Sequence, residues 1–567
     1  MKIIRDTIHG DIEFQDHELR VIHTAEFQRL HGCRQLGLTY LVYPGAKHSR
    51  FEHVLGVMHV ATRIANRLEG QKEFFQDSNA KRLKDTLRLA ALLHDIAHLP
   101  FGHTLEDEMP LITEHDAPSE ITEPPRWRSM VSNVLQKSGN AGFTDSVLQV
   151  LELIAASKDD KKLYDLVRDD KIEPQFLVLA DIIGNTICAD LLDYIRRDHL
   201  LTGIHAVYDD RIFQYFGVAP YDCGDKSYPR LIIRLVRNGR VRYDCLADLL
   251  DILKLRYNLS DKVLFHPKKC AADAMLIRAM ADLHPDRAEL ESFLTKFSDD
   301  GLLDKHREHP LIEQLRSRKL FKPVFVCRRE HIWSYNVRLD KDRLILRLHA
   351  DEAFRRGIEK KIETELGLPR EQTSVLIYCP QLSMTRKPVR VLVQWNDGTI
   401  RRLNGIPRAD ETFTHDQVDV LERMYDGLWK LYLFVRSDLR TRGHQIRGKF
   451  IETLKADAGF DATCDPAFAH YLEKRLDYKM GRRLDDELER TEEYRKLPDE
   501  IRVEALTTCH QRLPLGEFDE DYEDIEATTV ASRLDDTALS SQVRELIRSV
   551  LIELRSGRGN EPGLFRK

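Results

Sequence analysis

The sequence lacks the cysteine spacing of a metal-binding ribbon and the long apolar runs of a membrane protein. Its nine cysteines are far apart and none stands in a Cys-x-x-Cys pair, which argues against a zinc ribbon and a disulfide framework. Every long apolar run is interrupted by charge, so no segment is expected to span a membrane. The start MKIIRD has no apolar stretch of a secretory signal, and we therefore expect a cytoplasmic protein.

An excess of positive charge is also absent. The formal net charge is −6 at pH 7, so the chain as a whole does not attract nucleic acid and any phosphate binding must be local. The 42% apolar and 32% charged residues are typical of a globular protein, and no repeat or low-complexity tract is present. At 567 residues the chain is too long for one ordinary core. We expect about two or three domains.

Three regions differ in their hydrophobic patterns. Residues 1–320 show mainly helical 3–4 spacing, as in DCLADLLDILKLRYNL, with a hairpin predicted around Asn238-Gly239. Residues 321–410 contain the apolar segments FKPVFVC, RLILRLH, SVLIYCP and VRVLVQWNDGTIRRL, which we interpret as strands, and the helix EAFRRGIEKKIETELG. A turn at Asn396-Asp397-Gly398 is predicted to split the last segment. Residues 411–567 are predicted to be helical again. The expected fold is mainly α, with a helical core, a small α+β appendage and a helical C-terminal region.

The C-terminal region offers three further patterns. VDVLERMYDGLWKLYLFVRSDLR is predicted to form one amphipathic helix, and the following TRGHQIRGKF groups Arg442, Arg447 and Lys449. These cations could bind a nucleotide or a phosphate backbone, which makes nucleic acid one partner to consider, but a solvated helix face is the simpler explanation. The acidic run from Glu517 to Glu526 is interpreted as an exposed connector.

The most informative stretch is LRLAALLHDIAHLPFGH, residues 87–103. A helix that is apolar on every face is usually buried, and a buried histidine beside a carboxylate needs a compensating metal ion or charge. On a continuous helix His94 and Asp95 would both lean toward one ion, and His98 would follow one turn later on the same face. For the dipeptide alone, a satisfied core histidine beside a surface aspartate is the simpler explanation.

Two distant segments carry further ligand types. HSRFEHVLGVMHVA puts His53 before an apolar helical run and Arg50 three residues ahead of it. ADLLDYIRRDHLLTGI puts Asp190, Tyr194 and Asp198 at i, i+4 and i+8, and therefore on one helix face. These segments change the interpretation of the dipeptide, because they supply a second imidazole and a second carboxylate.

The resulting order is His…His-Asp…Asp on three helical segments, formed by His53, His94, Asp95 and Asp190. Two imidazoles and two carboxylates suit a first-row divalent cation that keeps open positions for water and substrate. With the motifs IHG, FQRL, QLG, YPGA, H-x-RFEH-x-LGV, HDIAHLPFGH and DLLDYIRRD, this order resembles the HD-domain deoxynucleoside triphosphate triphosphohydrolases. The resemblance is strong from Ile8 to Ile204 and thins out toward Lys322.

The resemblance implies that residues 1–320 form a helical HD-domain phosphohydrolase core. The implied reaction is hydrolysis of a dNTP to the deoxynucleoside and inorganic triphosphate, with Mn, Mg, Fe, Co, Ni or Zn as the divalent ion. The implied metal ligands are His53, His94, Asp95 and Asp190. The implied catalytic residues near the scissile phosphate are His98, His115 and Asp116. The implied substrate contacts are Gln35, Leu36, Arg50, Tyr194, Asp198, Arg256 and Phe265.

Within this set, Gln35 and Leu36 match residues that read the sugar. Arg256 would meet the terminal phosphates, and Phe265 would stand where an aromatic ring stacks near the base. The resemblance further implies a nucleotide substrate, a nucleotide activator and a homo-oligomer as partners. Family members of vertebrate type read guanine at an activating site, but His23 and His31 stand at the matching positions here. A requirement for GTP is therefore not expected.

Simpler explanations stand beside several of these residues. His115, in ITEHDAPSE, fits an exposed loop histidine, and Tyr194 fits ordinary helix packing. Arg50 fits an ion pair with Glu52 or Asp95. The lysine that follows the last metal aspartate in the vertebrate-type enzymes is Leu191 here, which leaves the ranking of substrates open.

Two other functions also remain open at this level. HD sites are chemically permissive, so the substrate could be another nucleotide or single-stranded nucleic acid. A degenerate pocket could instead serve nucleotide sensing without catalysis. The intact metal set argues against degeneracy, and Gln35, Tyr194 and Asp198 argue for a nucleotide sugar over a polymer.

Overall fold

A computed structural model describes residues 2–466 with internal gaps, together with residues 492–497 and part of 541–549. The gaps are 72–73, 76–77, 107–111, 113–124, 169–171, 206, 224–225, 238–239, 335–340, 370–372, 383–388, 396, 406–417, 419 and 426. His115, Asp116 and the acidic run from Glu517 to Glu526 therefore lie outside the described residues.

The described chain is mainly helical, which confirms the predicted fold class. The helices are α1 (Asp16–Ile22), α2 (Ala25–Gln28), α3 (Arg50–Gly70), α4 (Ala80–Leu93), α5 (His103–Glu106), α6 (Arg126–Lys137), α7 (Thr144–Ala156), α8 (Asp160–Arg168), α9 (Phe176–Ile183), α10 (Ala189–Thr202), α11 (Tyr243–Leu259), α12 (Pro267–Leu283), α13 (Arg287–Leu294), α14 (Asp299–Lys305), α15 (Pro310–Arg316), α16 (Lys341–Ala350), α17 (Glu352–Glu365), α18 (Gly443–Ala458) and α19 (Glu492–Arg495). The strands are β1 (Lys2–Asp6), β2 (Gly10–Phe14), β3 (Phe216–Cys223), β4 (Lys226–Arg234), β5 (Val236–Arg237), β6 (Arg240–Val241), β7 (Lys322–Arg328), β8 (Ile332–Ser334), β9 (Val375–Tyr378), β10 (Leu392–Gln394), β11 (Ile400–Arg402), β12 (Lys430–Val435) and β13 (Phe460–Ala462).

Two compact units divide the chain. The first comprises residues 1–319, 345–351 and 379–429, and the second comprises residues 320–344, 352–378 and 430–567. The first unit contains α1 to α15, the hairpins β1–β2 and β5–β6, and a sheet in the order β11-β10-β4-β3. The second contains α17, α18, a sheet in the order β7-β12-β9 and the pair β13–β8. Strands of the predicted appendage, 321–410, thus contribute to both units.

The second half of helix α4 is buried on nearly all sides, as the apolar sequence from Leu87 predicts. Leu87 and every residue from Leu89 to Leu93 are 0% exposed. This helix packs against α3, α7 and α9, and α3 packs along α10. The approach of α3 to α10 requires Gly56, because a β-carbon at that position would lie 1.9 Å from Oδ1 of Asp193 on α10. These contacts hold α3, α4 and α10, the helices that supply the ligand types, in one packed group.

The hairpins expected from turn residues are confirmed. β5 and β6 pair antiparallel with Arg237 opposite Arg240, so they flank the Asn238-Gly239 position. β10 and β11 also pair antiparallel, and Gly398 in their connection has a φ of 81°, a left-handed conformation that glycine adopts without strain. The β10–β11 hairpin joins the sheet of the first unit through β4, with which β10 runs parallel.

The strand predicted at RLILRLH is wrong, because these residues belong to α16. Leu344, Ile345 and Leu348 are at most 2% exposed, whereas Leu346 is 52% exposed. Burial at i, i+1 and i+4 is the pattern of one helix face. A short apolar run cannot be assigned to helix or strand from its pattern alone, which explains the error.

The single helix predicted from Val418 to Arg440 is wrong in its second half. Residues 420–425 are helical, but Lys430–Val435 forms β12, the middle strand of its sheet. Leu431 to Val435 are all 0–1% exposed. A strand buried on both faces has a continuous apolar sequence, which resembles a helical run when it is short.

The helices of the described residues are too short or too polar to cross a bilayer. Crossing requires about 20 consecutive apolar residues. In this part of the chain no helix meets that requirement.

Candidate metal centre

Three ligand side chains converge where α3, α4 and α10 meet. His53 lies in the first turn of α3, His94 directly follows α4, and Asp190 is the second residue of α10. One ligand atom from each of these side chains lies within 4.8 Å of the other two. Nε2 of His53 is 3.1 Å from Oδ1 of Asp190. Residues that are far apart in the sequence thus form a cluster able to hold one metal ion.

Local sequence fixes where two of these helices begin. The start of α3 is capped by Ser49 and Glu52, whose carboxylate accepts the backbone N–H of Ser49 at 2.5 Å. Because Glu52 serves this cap, the partner of Arg50 is the other candidate, Asp95. α10 begins after Cys188, whose sulfur accepts the backbone N–H of Leu191 at 3.5 Å.

The helix predicted to run through His98 ends earlier. α4 stops at Leu93, and residues 94–97 form turns. The expectation that His94 and His98 share one helix face is therefore wrong. Farther along, Phe101 and Gly102 have left-handed backbone conformations, with φ angles of 63° and 45°. His98 still reaches the centre, since its Nε2 is 3.4 Å from Oδ1 of Asp95.

The donor set fits a divalent cation. The imidazole of His94 bonds through Nδ1 to the carbonyl of Ala91 at 2.8 Å, so Nε2 is left to face the cluster. That Nε2 is buried and has no hydrogen-bond partner among the described residues. An unpartnered buried nitrogen beside a second imidazole and a carboxylate is costly without a bound cation. Imidazole and carboxylate donors suit zinc and other first-row divalent ions.

Asp95 borders the cluster and is held by Arg50. Nη1 of Arg50 lies 2.5 Å from Oδ2 of Asp95, and both side chains are buried. A β-carbon on Gly102 would lie 2.7 Å from Nη2 of Arg50, so the glycine makes room for this guanidinium. Oδ2 of Asp95 is 3.8 Å from Nε2 of His53, and Oδ1 is 3.4 Å from Nε2 of His94. The role of Asp95 as a fourth ligand stays a prediction.

The charges of this centre shift its pKa values. Burial raises the pKa of Asp95, but His94, His98 and Arg50 outweigh it and hold the pKa well below its ordinary value. Burial lowers the pKa of His53, but Asp190 and Asp193 outweigh it and raise the value to about 10. Burial also raises the pKa of Asp190, but the hydrogen bond and charge of His53 outweigh it and lower the value. Asp95 and Asp190 are therefore charged at neutral pH, as metal ligation requires, whereas His53 must release a proton when an ion binds.

Sequence reasoning missed the carboxylate behind His53. Asp193 is 0% exposed and accepts a hydrogen bond from Nδ1 of His53 at 2.8 Å. It also bonds to Nε2 of His9 at 2.7 Å and to Nε of Arg197 at 2.9 Å. Arg197 also forms a salt bridge with Asp6, in which Nη1 lies 3.0 Å from Oδ2. A carboxylate that fixes the ring of a metal-binding histidine is common, and the spacing of Asp193 three residues after Asp190 was the available signal.

His98 is enclosed by carboxylates. Its Nε2 faces Asp95 at 3.4 Å and its Nδ1 faces Oε2 of Glu106 at 3.1 Å. The side chain is 1% exposed, and the ring of His103 lies 5.0 Å away in an edge-to-face arrangement. With both nitrogens directed at carboxylates, this geometry favours a role in orienting Asp95. The other two predicted catalytic residues, His115 and Asp116, lie outside the described residues.

Several predicted substrate contacts share one small apolar cluster. Leu36 packs with Ala46, Leu259 and Val263, and Tyr194 is partly buried against the same group. Burial raises the pKa of Tyr194 above its ordinary value, and the charge of Arg256 opposes that shift, which places Arg256 close by. Nε of Arg256 is buried without a hydrogen-bond partner among the described residues. These residues come from α10, from α11 and its following turn, and from the segment around Leu36, which the sequence alone could not bring together.

The remaining predicted contacts have different surroundings. Oε1 of Gln35 is buried and has no hydrogen-bond partner in the described part of the chain. Asp198 is 2% exposed, and its Oδ1 bonds to Nε2 of His48 at 2.7 Å. Phe265 is 5% exposed and packs in the main apolar core, so its ring does not present a face to solvent. The structure thus does not place Phe265 as an open stacking platform.

A cavity of about 220 Å³ opens beside the ligand cluster. His94, Asp95 and Asp190 of the candidate centre contribute to its lining. The other lining residues are apolar and polar in mixture: Trp127, Leu151, Ile154, Ala155, Ser157, Lys158, Ile183, Gly184 and Asn185. The cavity leaves open space for water or a small molecule next to the ligand atoms.

Comparison with known proteins agrees with this geometry. The HD domain family matches residues 50–198, the span that contains all four predicted ligands. An uncharacterized protein of Methanocaldococcus jannaschii is 28% identical over 57% of this chain and 59% of its own length. The deoxynucleoside triphosphate triphosphohydrolase SAMHD1 of Xenopus laevis is 41% identical over 38% of this chain and 37% of its own length. The corresponding homolog of Dictyostelium discoideum is 25% identical over 57% of this chain and 60% of its own length.

The match is thus partial on both sides, since the chain covers less than two thirds of each of these relatives. Among solved structures, a hypothetical protein from Aquifex aeolicus superposes with a TM-score of 0.50 at 21% identity. That likeness covers 79% of this chain and 99% of the other, and it concerns the fold alone.

Proposed function

We propose that this chain, which belongs to the HD-domain family through residues 50–198, is a metal-dependent phosphohydrolase of deoxynucleoside triphosphates. The reaction would release the deoxynucleoside and intact inorganic triphosphate. One observation carries the proposal. His53, His94 and Asp190 meet within 4.8 Å of one another, beside an open cavity of about 220 Å³.

The chemistry needs cationic groups as well as the metal ligands. A divalent ion bound by these residues would polarise the attacked phosphorus centre and lower the pKa of a coordinated water. Arg50 already neutralises Asp95 at 2.5 Å, which limits repulsion between that carboxylate and a phosphate. Arg256 has a buried Nε without a hydrogen-bond partner among the described residues, and a guanidinium of that kind suits the outer phosphates.

A proton must also reach the departing 5′ oxygen. His98 is turned toward Asp95 and Glu106 at 3.4 and 3.1 Å, so its nitrogens serve these carboxylates. We therefore assign the proton donation to His115, with Asp116 beside it. His98 then acts by keeping Asp95 in place. A histidine is suited to this transfer because its ordinary pKa lies close to neutral pH.

The substrate class follows from the side chains around the centre. Leu36 and Tyr194 share one apolar cluster, and Gln35 offers a buried oxygen without a partner in the described region. A hydroxyl-bearing sugar with an apolar face complements this combination. The names of the relatives from Dictyostelium discoideum and Xenopus laevis specify deoxynucleoside triphosphates, which supports the same class of substrate. A nucleotide activator and a homo-oligomer remain predictions of the same proposal.

The test is a matrix of ions and substrates. The purified chain would be incubated with Mn, Mg, Fe, Co, Ni or Zn and with each dNTP, each NTP and single-stranded DNA. We expect consumption of dNTPs only when a divalent ion is present, and its loss in a His94→Ala plus Asp95→Ala variant. Degradation of single-stranded DNA with no loss of dNTP would contradict the proposal and favour a nuclease. An unreactive protein that binds nucleotides would favour the sensing alternative.

A further inference from the structure

His48 stands between two residues that we expect to read the sugar. Its side chain is buried, and Nε2 bonds to Oδ1 of Asp198 at 2.7 Å. Its backbone carbonyl accepts the N–H of Gln35 at 3.0 Å. A β-bridge between Arg34 and Ser49 holds the same two segments in register. One histidine therefore ties the backbone of Gln35 to the carboxylate of Asp198.

The polar atoms around this histidine are incompletely satisfied. When Nε2–H donates to Asp198, the other nitrogen of the neutral ring, Nδ1, is an acceptor. Nδ1 of His48 and Oε1 of Gln35 are both buried, and neither has a hydrogen-bond partner among the described residues. An unpaired buried acceptor is unfavourable, because it has lost the hydrogen bond that water would give it in the unfolded chain. A ligand that brings a hydroxyl donor into this region would remove part of that cost.

A histidine one residue beyond Asp198 shows a different arrangement. His199 is also fully buried, but its Nδ1 bonds to the carbonyl of Ile195 at 2.7 Å, within its own helix. That bond lies within one helix and does not join two segments. Nε2 of His199 is buried without a hydrogen-bond partner in the described part of the chain, as Nδ1 of His48 is. His199 is therefore a matched control for His48, since it is a buried histidine from the same neighbourhood without a link to Gln35 or to the Asp198 carboxylate.

We propose that His48 is the positioning residue of the sugar subsite, where it holds Asp198 and Gln35 as one unit facing a deoxyribose hydroxyl. This inference rests on the proposed function, because it takes the substrate to be a nucleotide. His48 acts through the orientation of two neighbours. It need not touch the phosphates or the metal ion. Its removal should therefore weaken sugar recognition more than it changes the chemical step.

Two replacements separate the hydrogen bond from the packing. His48→Leu keeps a buried side chain of similar size but loses the N–H that Asp198 accepts. His48→Gln keeps an N–H donor near the position of Nε2. We expect His48→Leu to raise KM for dNTPs about 10–100-fold, the range for a lost bond to a charged group, with a smaller change in kcat. His48→Gln should restore most of the affinity, and His199→Leu should leave KM close to that of the wild type.

A double-variant cycle shows whether His48 acts through Asp198. If it does, adding His48→Leu to Asp198→Ala should change KM by less than about twofold, because the two effects share one interaction. A merely structural role would instead give independent losses. Fully additive effects on KM would overturn the assignment, even if each single variant has a raised KM.

Binding measurements keep this inference distinct from the proposed function. Calorimetry would compare dATP, dCTP, dGTP and dTTP with inorganic tripolyphosphate, which has no sugar. We expect His48→Leu to lose affinity for the nucleotides and to keep its affinity for tripolyphosphate. Equal losses for both ligands, or no loss for either, would overturn the positioning role while dNTP hydrolysis by the wild type still stood. A wild type that neither binds nor hydrolyses any dNTP would overturn the proposed function and this inference together.

Discussion

Asp193 accepts a hydrogen bond from Nδ1 of His53 at 2.8 Å, and the two side chains are 0% and 1% exposed. With Nδ1 fixed as a donor, Nε2 is the nitrogen that faces Asp190 and His94. The carboxylate is itself fixed by Arg197, so a buried ion pair orients one ligand of the candidate metal centre from behind. The ring orientation of His53 is thus a consequence of packing between α3 and α10.

Asp193→Asn keeps the size of this side chain and removes its charge. We expect metal affinity to fall about 10–100-fold, the usual effect of losing a partner that orients a ligand. Competition with a chromophoric chelator measures the affinity. Asp165→Asn, in an exposed pair with Arg168, is the control and should leave the affinity unchanged. An unaltered affinity in Asp193→Asn would show that the negative charge behind His53 does not contribute to metal binding.

Gly56→Ala tests the close approach of α3 and α10. The new β-carbon would lie 1.9 Å from Oδ1 of Asp193 and 2.5 Å from Nη2 of Arg197, so a buried ion pair would have to move. Overpacking of this kind costs about 1–3 kcal/mol of unfolding free energy, and metal content should fall with it. Gly70→Ala on the same helix meets nothing within 4 Å and should be neutral or slightly stabilising. Urea titrations of both variants provide the comparison, and equal stability would contradict the packing argument.

Asp299 should make stability depend on pH. Burial raises its pKa to about 6, against the opposing hydrogen bonds from the backbone of Arg34 and Phe101. Between pH 4 and 6 the folded state then holds a proton that the unfolded chain has lost. The stability that this group contributes is therefore fully present below about pH 4 and is lost as the pH rises through 6.

The comparison of wild type with Asp299→Asn isolates this effect. The difference in unfolding free energy, wild type minus variant, should fall by about 2–3 kcal/mol from pH 4 to pH 7. Denaturant titrations at several pH values measure it. Asp300→Asn, at an exposed neighbour, should give a difference that does not change with pH. If the difference in unfolding free energy between wild type and Asp299→Asn rose with pH, the hydrogen bonds would outweigh burial in setting the pKa of Asp299.

His115→Ala addresses proton donation. We expect turnover to fall about 10²–10⁴-fold, the range for a lost general acid, while metal content stays unchanged. The measurement is kcat at saturating dNTP, together with metal analysis of the same sample. His103→Ala, which removes the exposed ring beside His98, serves as a comparison. Unimpaired turnover in His115→Ala would move the acid role to His98.

The sequence predicted the ligand cluster but not the residues that orient it. His53, His94 and Asp190 were identified by residue type and motif order, and the structure brings them together. Asp193 and His9 were not identified. In the sequence, Asp193 lies 140 residues from His53 and 184 residues from His9. Hydrogen bonds between distant segments leave no periodic signal in either segment.

The wrong predictions of secondary structure can be explained from the segments concerned. The continuous helix expected through His98 ends at Leu93, and residues 94–97 form turns, which the apolar pattern does not indicate. RLILRLH was predicted to be a strand and forms a helix, and KLYLFV was predicted to be helical and forms a strand. Short apolar runs of this kind fit both structures. In contrast, Asn-Gly and Asp-Gly pairs gave the two hairpins correctly, since their preference for left-handed turns is a property of the residues themselves.

The identity of the released phosphate tests the central claim most directly. Chromatography of a dNTP reaction with the active divalent ion separates tripolyphosphate, pyrophosphate and monophosphate. The proposed chemistry at the α-phosphorus predicts deoxynucleoside and tripolyphosphate in equal amounts, with no product in the His94→Ala plus Asp95→Ala variant. Pyrophosphate together with a deoxynucleoside monophosphate would contradict it.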